Sequence, residues 1–202
     1  MTAPLLQPTL PSTLPSKQPS TPEVLTGAEV LVGSLPTPAG PLSVAVTAAG
    51  VVRAAGFGDR DVLVGRLRLA DPAVASGAVP LREVAAEELP TSLRDAVVRY
   101  ADGDAGALDG VPVEQPGGPF FQDVWDAMRR VPPGSTVSYA ELAAMAGRPT
   151  AVRAAGSACA RNLVAPFVPC HRIVRTDGTL GGYAYGLDAK RALLAHERQA
   201  TD

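Results

Sequence analysis

The stretch PCHRIV, residues 169–174, sets Cys170 beside His171 in a chain with only two cysteines and two histidines. A thiolate is the strongest nucleophile a side chain offers, but a free cysteine is only about 3% thiolate at pH 7. Nucleophilic work at Cys170 therefore needs a nearby base or a positive field. His171 and Arg172 are the adjacent candidates. On a strand, neighbouring side chains point to opposite faces. A Cys170–His171 partnership then requires either a turn in the backbone, aided by Pro169, or a bridging water. The competing reading is a buried inert thiol beside a hydrogen-bonded core histidine, and the six residues alone favour it.

Metal chemistry is a poor fit. Cys159, Cys170, His171 and His196 are the available soft ligands, and their spacing matches no common zinc pattern. Two cysteines eleven apart do not make a disulfide framework, and they suit a reducing compartment.

A second constellation lies just upstream. In AVRAAGSACARN, residues 151–162, small side chains leave Arg153 as the only large group near the start. Small residues allow close packing inside a protein. They equally allow a helix backbone to approach a nucleic-acid groove, with one arginine inserted as a wedge in place of a displaced base.

These residues need elements to position them. The 202 residues are 46% hydrophobic with a net charge of −2. Residues 1–115 carry a net −5 and residues 116–202 a net +3, an asymmetry that hints at a polyanion partner for the second part. Residues 1–27 form a Pro/Ser/Thr-rich tail expected to be disordered, without the basic head and apolar run of a signal peptide. No apolar run is long enough to span a membrane, so a cytoplasmic protein is expected. From residue 28, short β-branched runs broken by Pro-Ala-Gly and Ala-Ala-Gly predict a β-meander. LPTSLRDAVVRYADG predicts a helix with Leu93, Val97 and Tyr100 inward. Residues 103–118 read as a connection.

Then PFFQDVWDAMRRV predicts a core helix after Pro119. SYAELAAMAG predicts a helix capped by a Ser138–Glu141 box and ended by Gly147. Thr150 is positioned to cap the next helix, and the pair makes a helix-turn-helix. LDAKRALLAHE predicts a last helix capped by Asp188.

Taken together, PCHRIV, SYAELA and VRAAGSACARN resemble the alkylguanine-DNA alkyltransferases, also called methylated-DNA–protein-cysteine methyltransferases. The likeness is close over about residues 119–199 and weaker back to residue 28. It implies an α/β protein. A ribonuclease-H-like small β-sheet domain over 28–102 and a linker over 103–118 would precede a mainly helical DNA-binding and alkyl-transfer domain over 119–202. It implies a monomer that binds double-stranded DNA carrying alkylated guanine from the minor-groove side, with no cofactor. Cys170 would accept the alkyl group, His171 would activate it through a water, and Glu197 would orient His171. Tyr139 would press on the phosphate, help extrude the nucleotide and donate a proton. Arg153 would fill the vacated stack, with Ala151, Ala154, Gly156 and Ser157 against the DNA. Asn162, Pro169, Val174, Tyr183, Tyr185 and Gly186 would build the pocket, Asn162 bracing its hinge.

Tyr185 stands where many members carry glycine, implying a narrower pocket that favours methyl over bulky groups. Cys159 fills a position where methionine is common. The resemblance leaves rivals: a lesion sensor that does not repair, which usually lacks the acceptor cysteine; a helix-turn-helix regulator, which would need more base-reading side chains than Arg153; and a cysteine hydrolase, which lacks an oxyanion site.

Overall fold

The computed structural model describes residues 29–200; the tail expected over residues 1–27 lies outside them. Strands β1 (Val30–Leu35), β2 (Leu42–Thr47) and β3 (Val52–Phe57) form the antiparallel meander expected from the sequence. The chain reverses at Gly40 and Gly50, whose φ of 105° and 83° strongly favour glycine. Residues 59–88, for which the sequence predicts no element, hold a 3₁₀ turn at Ala86–Glu88 and three other elements. The three are helices α1 (Arg60–Ala70) and α2 (Pro72–Ala75) and strand β4 (Leu81–Glu83). Gly65 and a scatter of arginines blur the period of α1. Its start is nonetheless marked by Asp59, which accepts from the Asp61 amide, and that of α2 by Asp71, which accepts from Ala73. β4 joins β1 in parallel, so the sheet runs β3-β2-β1-β4.

The strand period divides the sheet into two apolar faces. Val30, Val32, Ala45 and Ala54 pack on Leu63 and Leu67 of α1. Leu31, Leu35, Val44 and Val46 pack toward helix α3 (Thr91–Ala101), through Leu93, Val97 and Tyr100, and onward to the C-terminal helices. Because both faces are covered, every residue of β2 is buried.

The C-terminal part is helical. Helix α4 (Pro119–Arg129) buries Val124, Trp125 and Met128. A two-residue strand, β5 (Val137–Ser138), leads into α5 (Tyr139–Met145), and a turn connects this to α6 (Val152–Ala160). After an irregular segment come β6 (Ile173–Val174) and α7 (Leu187–Gln199). The result is a mixed α/β fold, with a small N-terminal sheet and a helical C-terminal region containing the helix-turn-helix α5–α6. None of the described helices is long and apolar enough to cross a membrane.

The expected capping box is present: Ser138 Oγ accepts from the Glu141 amide at 3.2 Å and Glu141 accepts from the Ser138 amide at 2.7 Å. Two other caps are not. α6 starts at Ala151 with no side-chain cap, so Thr150 does not cap it. α7 starts after Gly186, whose φ of 89° turns the chain into the helix, while Asp188 sits inside the first turn and pairs with Arg191 at 2.7 Å. Nor is the 103–118 connection loose. Ala105, Leu108, Val111 and Gln115 are buried, and Val113 bridges to Val52 of β3.

Candidate active site

PCHRIV is not a strand end. Cys170–Arg172 form a single 3₁₀ turn that follows Pro169, and the strand begins only at Ile173. Successive side chains on a 3₁₀ turn step by about 120° rather than 180°, so the opposite-face argument does not apply. Cys170, His171 and Arg172 are all buried.

Asn162 holds the thiol. Its Nδ2 lies 3.2 Å from Cys170 Sγ and donates to the Val168 carbonyl at 2.7 Å. Its Oδ1 accepts from Gln115 Nε2 and from the Val164 amide. A side chain tied at both ends cannot rotate, so the sulfur has a fixed donor. Burial pushes the Cys170 thiol up, against smaller opposing effects from Asn162 and the buried Lys190 ammonium. The resting sulfur is therefore a protonated thiol, and a base must take its proton before it can react.

His171 is arranged for that task. Its Nε2 is 2.8 Å from Glu197 Oε1. Glu197 is fully buried and also accepts from Arg172 Nε at 3.0 Å and Nη2 at 2.9 Å, and from the Gly134 amide at 3.2 Å. Burial alone would raise its carboxyl, but the hydrogen bonds from His171 and Arg172 outweigh that and hold it down at about 2. Burial pushes the His171 imidazole down against the opposing pull of Glu197, with smaller help from the Arg172 and Lys190 charges, so the imidazole rests neutral. A neutral imidazole facing an ionised carboxylate carries its hydrogen on Nε2. Nδ1 is then the bare lone pair, and it is buried with no hydrogen-bond partner. No direct Cys170–His171 hydrogen bond occurs among the described residues. Arg172, considered from sequence as a positive field for the thiol, instead spends its charge on Glu197 and donates to the Val131 carbonyl at 2.7 Å.

Tyr139 is brought to the same region by a parallel pairing of β5 with β6, Ser138 opposite Val174. As the first residue of α5, its ring lies between Gly156 of α6 and Gly181 of the following loop. A Cβ on Gly181 would stand 3.3 Å from the Tyr139 hydroxyl. Burial pushes the phenol up, so it stays protonated at neutral pH. Tyr183 and His171 meet in a T-shaped arrangement, with centroids 6.5 Å apart, and the Tyr183 hydroxyl is buried without a partner. Val174, at the end of β6, is buried, and Gly186 ends the loop before α7. Tyr185 does not simply fill the pocket: its hydroxyl donates to the Ala55 carbonyl of β3 at 3.0 Å.

On α6, Ala155 and Ala158 face the core, and Trp125 Nε1 donates to the Ala158 carbonyl at 3.0 Å. Arg153 and Ser157 are exposed, and Ala151, Ala154 and Gly156 are half-buried. Cys159 is also half-buried, and burial pushes its thiol up. The second histidine, His196, serves packing: Nε2 lies 2.5 Å from the Tyr100 carbonyl. A larger cavity of about 670 Å³, between Arg53, Asp71 and α4, meets the thiol region only through Gln115 and Val168.

Four neighbours of the site went unseen in the sequence. Gln115 orients Asn162 and also accepts from the Leu163 amide at 2.7 Å. Tyr100 points its hydroxyl at Glu197, 3.4 Å away. Lys190, fully buried, donates to the Ile173 carbonyl at 2.6 Å and to that of Leu180, closing the neck of the loop between them. Arg66 reaches in from α1. Only an apolar face interrupted by a lysine, as in α7, gave a local signal; the others meet the site across 47 to 119 residues.

Comparison with known proteins places this geometry. Residues 119–199 match the model of the 6-O-methylguanine DNA methyltransferase DNA-binding domain. The bifunctional transcriptional activator/DNA repair enzyme Ada of Escherichia coli is 51% identical over 89 residues, which are 44% of this chain but only 25% of that protein. The methylated-DNA–protein-cysteine methyltransferase of Mycolicibacterium paratuberculosis is 41% identical over 114 residues, 55% of this chain and 69% of the relative. Among solved structures, Mycobacterium tuberculosis OGT in complex with DNA is 30% identical with a TM-score of 0.65, covering 85% of this chain and 94% of that one. Because the likeness to the two mycobacterial proteins spans most of their length, well beyond the matched domain, the chain belongs to the methylated-DNA–protein-cysteine methyltransferase family.

Proposed function

We propose that this protein repairs DNA by direct reversal, moving a methyl or other alkyl group from the exocyclic oxygen of alkylated guanine, and less well of thymine, onto Cys170. The observation that carries the reading is His171, adjacent in sequence to the buried thiol of Cys170, with its Nε2 on the Glu197–Arg172 pair and its Nδ1 buried without a partner.

The mechanism follows from the residue types. The target oxygen is inside the duplex, so the nucleotide must leave the stack. α6 approaches the minor groove with its small residues Ala151, Ala154, Gly156 and Ser157, and Arg153 enters the gap. Tyr139 presses on the phosphate and turns the base into a pocket lined by Asn162, Pro169, Val174, Tyr183, Tyr185 and Gly186. His171 Nδ1 takes the Cys170 proton through a water. The thiolate attacks the alkyl carbon and the carbon–oxygen bond breaks. The leaving guanine gains a proton from Tyr139, which is restored from His171. The products are guanine and S-alkylcysteine, with every proton accounted for. The carbon–sulfur bond is a stable thioether, and no group in the site is placed to cleave it, so each molecule acts once. The substrate carries the transferred group, and no cofactor enters. We place this activity in the cytoplasm, in a monomer, with the N-terminal part (28–102), connection (103–118) and C-terminal part (119–202) as its units.

The test is duplex DNA with a labelled methyl on a guanine oxygen, followed by mass spectrometry of the protein. Label at up to one per molecule, on the peptide that contains Cys170, is expected. Turnover, or label elsewhere, would sink the proposal.

The same assay examines the finger. Arg153→Ala should slow transfer from duplex by about tenfold or more while leaving transfer from the free base nearly unchanged, because only the duplex reaction bears the unstacking cost. Equal losses on both substrates would make Arg153 a folding residue instead.

A further inference from the structure

Arg66 belongs to α1 of the N-terminal part, yet it touches both sides of the acceptor site. Its Nη1 donates to the Tyr185 hydroxyl at 2.7 Å and its Nη2 to the Asn162 carbonyl at 3.0 Å. Its guanidinium carbon lies 5.6 Å from the centre of the Tyr185 ring. Tyr185 passes its own hydrogen to the Ala55 carbonyl, so its hydroxyl is both acceptor and donor. The ring lies so close over β3 that a Cβ on Gly56 would fall 2.2 Å from it. Tyr185 meets Tyr183 edge-on, centroids 5.5 Å apart, and Tyr183 in turn meets His171. Asn162, at the other arm, is the residue that holds the sulfur.

The loop between these anchors has little regular structure of its own. Gly181, Gly182 and Gly186 remove side-chain packing, and residues 181–186 form no regular element. Beside Arg66 and Tyr185 lies a cleft of about 280 Å³ lined by Val62, Leu63, Ala160 and Ala184. Tyr183 and Tyr185 pack inward on the core, and on the cleft side the directed bonds from Arg66 and to Ala55 add to that packing.

We propose that Arg66 is a positioning residue: by clasping Tyr185 to the N-terminal sheet it holds the 181–186 loop closed and limits the size of alkyl group that reaches Cys170. This rests on the alkyl-transfer reading and adds to it the device that sets specificity. A methyl group needs no displacement of the loop. A benzyl group needs Tyr183 and Tyr185 to move outward, which breaks the bonds to Arg66 and Ala55. A planar guanidinium can serve both acceptors at once, whereas an ammonium offers a single point charge.

The test compares wild type with Arg66→Ala, Arg66→Lys and Tyr185→Phe. Rates of Cys170 alkylation by free O6-methylguanine and O6-benzylguanine are measured, together with amide hydrogen exchange over residues 181–186. The benzyl-to-methyl ratio should rise about tenfold in Arg66→Ala, with faster exchange in the loop, and lysine should not restore it. Tyr185→Phe keeps the ring over Gly56 and loses only the hydroxyl, so it should shift the ratio in the same direction even if Arg66→Ala fails to fold. A parallel fall in both rates, with the ratio unchanged, overturns the proposal. If wild type transfers neither group, the alkyl-transfer reading fails. The clasp is then decided by exchange: unchanged loop protection in the variants overturns it, and faster exchange supports it.

Discussion

Cys170→Ser should abolish alkyl transfer, by at least about 10³-fold, while binding to duplex DNA is retained. Serine is nearly isosteric and can take the Asn162 hydrogen bond in its neutral form, so the fold has little reason to change. The chemistry changes completely. The site already disfavours a buried thiolate, and it disfavours an alkoxide far more, because a hydroxyl is a much weaker acid. His171 cannot bridge that gap. Cys159→Ser is the matched control and should transfer normally, since that thiol is held protonated by burial and no base is placed for it among the described residues. Intact-mass measurement after incubation with methylated duplex, alongside a DNA-binding assay, reads both results. Residual labelling of Cys170→Ser at wild-type rates would mean another acceptor and would refute the assigned role.

Glu197→Ala should cost about 3–5 kcal/mol of stability, the penalty for stripping one partner from a buried ion pair. Arg172 and His171 would keep their burial and lose their acceptor together. In a chain of this size each kcal/mol lowers the melting temperature by about 2–4 °C, so a drop of about 10 °C is expected by calorimetry. Transfer should fall as well, because a released imidazole no longer keeps its hydrogen on Nε2. The same residue makes the fold acid-sensitive. Its carboxyl is held at about 2 against an ordinary 4.5, so between those values the unfolded chain binds the proton that the folded chain refuses. Its contribution, about 3 kcal/mol from the size of that shift, is full above about pH 4.5 and is lost as the pH falls toward 2. Denaturant titrations from pH 6 down to 2.5 should show this slope in the wild type and a flatter one in Glu197→Gln. Equal slopes would show that other carboxylates control acid unfolding.

The capped helix at Ser138 was legible because its signal is local: serine and glutamate three residues apart complete each other's hydrogen bonds. So was the apolar stripe of α4. The caps misread at Thr150 and Asp188 show the limit of that logic. Both residue types are good caps, but the backbone enters α6 and α7 elsewhere, through Ala151 and through the positive φ of Gly186. α1 was hidden because Gly65 and three arginines dilute its two inward leucines, and only packing on the sheet selects the helix.

Residue order alone determined which groups are available: a Cys-His pair after proline, a bare helix with one arginine, and a distant glutamate, arranged in a sequence that resembles one family. It could not determine how they meet. A period-two reading of PCHRIV separated thiol from imidazole, and a single 3₁₀ turn removed that objection. Which imidazole nitrogen is free depends on Glu197, 26 residues away. Which donor holds the sulfur depends on Asn162, itself fixed by Gln115 from the far side of α4. The clasp from Arg66 to Tyr185 spans 119 residues. Local pattern encodes propensity and period, which act over a few residues. Proton location and loop closure depend on pairs of groups that only the packed sheet and helices bring within 3 Å.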